Sequence, residues 1–82
     1  KLRWMVHQAF DPLWQVYQIP RPKAYGWLSR AMRIRRSSCH IRLFNTQQCY
    51  NALAICRRTP TEEIINWVNP VQNNYHLQGI DK

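Results

Sequence analysis

The stretch RPKAYGWLSRAMRIRRSSCHIR, residues 21–42, carries Arg21, Lys23, Arg30, Arg33, Arg35, Arg36 and Arg42 and no acidic residue. Guanidinium groups bind phosphates and carboxylates through paired hydrogen bonds and stack on flat rings. The same stretch holds Tyr25 and Trp27, whose rings could stack on bases or fill a core. These nine residues are the candidate RNA-binding set. Arg30, Arg33 and Arg36 recur at every third position, so on a helix they would be neighbours. Like charges at that spacing weaken a helix slightly unless an anion sits among them, which points to a polyanionic partner.

The charge of the whole chain supports this reading. Its 82 residues carry a formal net charge of +8. All four acids, Asp11, Glu62, Glu63 and Asp81, lie outside the interval from Pro12 to Thr61, whereas nine of the twelve Lys and Arg lie inside it. A face that only confers solubility would mix acids with its bases, so an unpartnered basic surface is the weaker reading. Acidic neighbouring proteins and anionic lipid head groups are the other partners such a block suits. A hydrophobic fraction of 45% is too high for a disordered tail. The mean hydropathy of −0.57 is too polar for a membrane protein. The longest uncharged run, residues 64–80, is broken by Asn, Gln, His and Pro and falls short of the roughly 20 apolar residues of a spanning helix.

Catalytic chemistry finds little footing. His7, His40 and His76 are scattered, Glu62 and Glu63 are neighbours suited to a helix start, and Gly26 and Gly79 cannot build a glycine-rich phosphate loop. Adjacent Cys39 and His40 point to opposite sides of an extended backbone and make a poor nucleophile and base. The expectation is a non-enzyme with no small-molecule substrate and no cofactor.

Cys39, Cys49 and Cys56 are spaced C-x9-C-x6-C. The first interval resembles one half of the paired C-x9-C motif of small mitochondrial helical-hairpin proteins. That pattern needs a fourth cysteine, which is absent, so its disulfides are not carried over. On one helix Cys49 and Cys56 would stand roughly 10 Å apart, beyond disulfide reach. Three thiols without a framework point to a reducing compartment. No C-x2-C chelate is present, and a zinc site from these three and His40 is not expected.

The elements that must position the basic block read as helices interrupted by prolines. Leu2, Met5, Val6 and Ala9 follow helix spacing up to Asp11-Pro12, where a cap and a first-turn proline start a second short helix with Leu13, Val16 and Tyr17 on its face. This N-terminal helical segment covers residues 1–19. Pro20-Arg21-Pro22 is expected to be extended and to act as a linker over residues 20–22. The basic helix and loop follow over 23–45. The helix runs from Lys23 to Arg36, with Leu28, Ala31 and Met32 inward, Tyr25 beside them and the arginines outward. Ser37 to Phe44 reads as loop or irregular helix, since no second strand could pair with it. Residues 46–69 form a helical hairpin. Its first helix buries Cys49, Ala52, Leu53 and Cys56, and Thr59-Pro60-Thr61-Glu62 starts the second with a capping box. Pro70 ends that helix, and residues 70–82 are expected to be an extended tail. The fold class is therefore all-α: one small helical domain with a C-terminal antiparallel hairpin.

The function expected is a structural RNA-binding component of a large ribonucleoprotein such as a mitochondrial-type ribosome, with RNA and neighbouring proteins as partners. An accessory subunit of a mitochondrial respiratory or ATP synthase complex is the alternative, with Trp4, Phe10, Trp14 and Tyr17 at an interface. A small nucleic-acid-binding regulator is the third. The chain starts with Lys1 in place of Met, which suits removal of an import leader. The mitochondrial matrix or inner-membrane surface is the expected location, with cytoplasm or nucleus otherwise.

Overall fold

The structure, a computed structural model, describes residues 1–70. The tail expected over residues 70–82 lies, beyond Pro70, outside the described residues. The described part is all-helical: α1 spans Leu2–Gln15, α2 Arg21–Met32, α3 Thr46–Arg58 and α4 Glu63–Val68, with single 3-10 turns at Arg36–Ser38 and Ile41–Leu43 between α2 and α3. None of these helices is long and apolar enough to cross a membrane.

α1 is one helix and not two, and Pro12 lies inside it. Proline removes the N–H that would bond the Gln8 carbonyl, at a cost of about 3 kcal/mol. Phe10 and Leu13, on either side of it, are buried on the same stripe as Val6. Burying such side chains contributes about 1.5–3 kcal/mol each, so the packing of this face carries the helix through the proline. The second apolar face expected here does not form, since Val16 and Tyr17 are exposed.

The α1 terminus instead closes on Gln18, whose φ of 57° is left-handed. Gln18 N–H donates to Gln15 O and Ile19 N–H to Trp14 O. These are the two bonds of a Schellman cap, and Ile19 after it is buried. The same device ends α2. Arg33 has φ 60°, its N–H reaches Arg30 O, and Ile34 N–H donates to Ser29 O at 3.0 Å. The basic helix thus stops at Met32, four residues before its expected end, and Arg33, Arg35 and Arg36 lie beyond it. Its start is also earlier than expected. Arg21 and Pro22 form its first turn behind Pro20, because a first-turn proline lacks only a donor that no carbonyl awaits.

α3 buries Cys49, Ala52, Leu53 and Cys56 as the spacing requires, together with Ile55. Its capping box is at Asn45 and Gln48: Gln48 N–H donates to Asn45 Oδ1 at 2.8 Å, and Asn45 N–H to Gln48 Oε1 at 3.0 Å. The box expected at Thr59 and Glu62 is absent. Thr59 closes α3, its hydroxyl donating back to Ile55 O, and α4 begins only at Glu63. α4 rests mainly across α2 and α1. Ile64 is buried, whereas Trp67 lies over Gly26 of α2 and keeps part of its ring in solvent.

α1 packs principally on α3, and α2 closes the core from the side. Phe10 links the helices, its ring 5.2 Å from Tyr25 and 6.4 Å from Trp14. Cys39, Ile41 and Phe44 of the α2–α3 connection plug the remaining opening, while Leu43 faces out. Arg3 Nε donates to Phe44 O at 3.2 Å and ties that connection to α1.

Candidate anion-binding site

Sequence spacing suggests one outward helix face for Arg30, Arg33 and Arg36. The structure divides the basic set. Arg21 at the start of α2, Arg36 in the first 3-10 turn and Arg42 in the second converge on one groove of about 380 Å³. Arg30 lies instead in a second depression beside Trp67, with Arg58 of α3 and Glu63 of α4. Lys23, Arg33 and Arg35 are exposed side chains outside both. Ala31, expected inside, is exposed as well.

Tyr25 and Trp27 are 7% and 6% exposed, so their rings belong to the core and offer no face for base stacking. Phe10, expected at an interface in the accessory-subunit reading, is fully buried and belongs to the same core. Tyr25 nevertheless shapes the groove as part of its floor. The Arg36 guanidinium lies over its ring, 5.3 Å from the centroid, and Arg36 Nη1 donates to Cys39 O at 3.4 Å. Two interactions therefore hold an otherwise mobile side chain in place. Burial pushes the Tyr25 phenol above its ordinary 10.0, against a smaller opposing effect of hydrogen bonding from the Ile41 backbone. It is a neutral phenol and adds no negative charge to the groove.

His7 and His40 complete the lining. His40 stands 5.8 Å from Tyr25, ring to ring. His7 faces Asp11 one turn on, Nδ1 to Oδ1 at 3.6 Å, and this is the only pairing of a basic side chain with a carboxylate among the described residues. No Arg or Lys among them has an acidic partner. The i, i+4 spacing of His7 and Asp11 is readable in the sequence, but nothing in it brings His7 to His40, because their meeting depends on how α1 docks.

The three cysteines are separate core residues, 0% exposed at Cys39, 2% at Cys49 and 4% at Cys56. All are free thiols. Burial pushes Cys39 up to about 11, with Arg36 pulling weakly the other way. Burial pushes Cys56 up to about 12, reinforced by Asp11 and Cys39.

Residues 1–59 match the family DUF3268, described as a zinc-finger-containing domain. The match covers well over half of the chain, and the chain belongs to that family. No curated protein and no solved structure matches it. The family description implies zinc, but the described residues do not fit it. Zinc takes deprotonated thiolates in a four-ligand cluster. In this fold burial favours the protonated thiols of Cys39 and Cys56, and no group of three or more Cys, His, Asp or Glu side chains among the described residues is arranged to hold an ion.

Proposed function

We propose that this chain is a non-catalytic RNA-binding component of a ribonucleoprotein assembly, gripping phosphates through the groove of Arg21, Arg36 and Arg42. The observation that carries the reading is the convergence of three guanidinium groups from separate segments on one groove, with no carboxylate paired to any of them. Bringing like charges together opposes folding, and an anionic partner relieves it. Arginine suits phosphate in particular, because its planar fork meets two phosphate oxygens at once. Lys23, Arg33 and Arg35, exposed around the α2 termini, extend the positive field along a bound strand.

The test is the salt dependence of binding to single-stranded RNA. Removing one arginine–phosphate pair should reduce the slope of log K against log salt by about 0.7. The double variant Arg21→Gln/Arg42→Gln removes two exposed groups without touching the core, so we expect a slope shallower by about 1.4 and markedly weaker binding. RNA affinity and slope unchanged from the parent chain would refute the proposal. Loss of binding to anionic vesicles alone would transfer the same arginines to lipid.

A further inference from the structure

An internal phosphate of an RNA strand carries one negative charge and leaves two oxygens free. The groove offers more than that. It places three arginines and two histidines around one volume of about 380 Å³, no acid among the described residues lines it, and Asp11 is turned to His7. That volume falls among the smaller ligand pockets of proteins and suits one residue of a strand better than a run of backbone.

We propose that the groove is a site for a terminal phosphomonoester, the phosphorylated end of an RNA strand. A phosphomonoester carries roughly −1.5 to −2 charges near neutral pH and three acceptor oxygens, which matches three converging arginines better than a diester does. This deepens the RNA-binding proposal and rests on it. Three features favour the monoester. Arg36 is already held by the Tyr25 ring and the Cys39 carbonyl, so little side-chain freedom is lost on binding. α2, twelve residues long, begins at the groove with Arg21 and Pro22, so the positive end of its dipole lies beside that volume. Tyr25 and Ile41 give the floor an apolar part on which the terminal sugar can rest.

The experiment compares one RNA sequence in three forms, with a 5′-phosphate, a 3′-phosphate or hydroxyls at both ends, by fluorescence anisotropy with the full chain at fixed salt. A phosphorylated end should bind about tenfold more tightly than the hydroxyl-ended strand. Arg42→Gln should weaken all three strands but the favoured phosphorylated one about tenfold more, so that the preference disappears, and Arg21→Gln supplies the same comparison should the first variant fail to fold. A nucleoside 5′-monophosphate should displace the phosphorylated strand at concentrations where the nucleoside does not. Equal affinity for all three strands, with the arginine variants weakening each alike, would overturn the end-specific site and leave the backbone reading standing. Variants that change no RNA affinity at all would overturn both. Displacement by vesicles bearing phosphomonoester head groups but not by the nucleotide would keep the chemistry and reject RNA as its source.

Discussion

Burial that holds Cys39 near 11 and Cys56 near 12 makes the stability of this fold sensitive to alkali. A thiol is neutral when protonated, so both folded-state values lie above the ordinary 9.0 of the unfolded chain. Their contribution is therefore complete below pH 9 and is lost as pH rises, through about 11 for Cys39 and about 12 for Cys56. The slope approaches about 1.4 kcal/mol per pH unit for each thiol. Urea unfolding at a series of pH values from about 8 to 10 should show this decline, and Cys39→Ala and Cys56→Ala should each flatten it. A profile as steep in the variants as in the parent would remove the thiols as its cause. At Gly26 a methyl group is expected to help. A Cβ there would meet Trp67 Cη2 at 3.6 Å, an ordinary van der Waals distance, while glycine inside a helix costs about 0.5–1 kcal/mol relative to alanine. Gly26→Ala should raise the thermal midpoint by about 4 °C, and a lowered midpoint would show that Trp67 cannot accept the methyl group.

The helices differ in how far the sequence discloses them. α3 is legible, because Cys49, Ala52, Leu53 and Cys56 repeat at helical spacing and nothing interrupts them. α1 is misread at Pro12, since local rules see the lost N–H and not the burial of Phe10 and Leu13 that outweighs it. The ends of α1 and α2 are hidden for a different reason. Their left-handed caps fall on Gln18 and Arg33, where no glycine or asparagine marks them. Such a conformation costs a residue with a Cβ about 1–2 kcal/mol. Gln18→Gly should therefore stabilise the chain by about 1 kcal/mol in chemical denaturation, after the entropy glycine loses on folding. Destabilisation would mean that the Gln18 side chain makes interactions worth more than the strain. α4 shows the limit of short-range inference. Thr59-Pro60-Thr61-Glu62 has the composition of a capping box, yet Thr59 is already engaged by Ile55 and the helix starts later. The groove is legible in the sequence only as a set of arginines, because the packing of α1, α2 and the two 3-10 turns decides which of them meet.

For the molecule as a whole, one core serves all four α-helices, and the cysteines are part of it. Chelation by EDTA should accordingly leave the thermal midpoint unchanged, and the purified chain should hold well under one equivalent of zinc by elemental analysis. A midpoint that falls with chelator and recovers with added zinc would refute the metal-independent core. The tie between Arg3 and Phe44, and the bed that α3 provides for α1, have a further consequence for the order in which the chain is made. Every side chain of the groove lies between His7 and Arg42, so all have been synthesised before α3 begins at Thr46. Arg36 can already meet the Tyr25 ring and the Cys39 carbonyl at that stage, but α1, which carries His7, still lacks the bed that α3 gives it. A nascent chain halted there has every residue of the groove while its first helix has no α3 to dock on, so α1, and His7 with it, gains its main support only once Arg58 has been made.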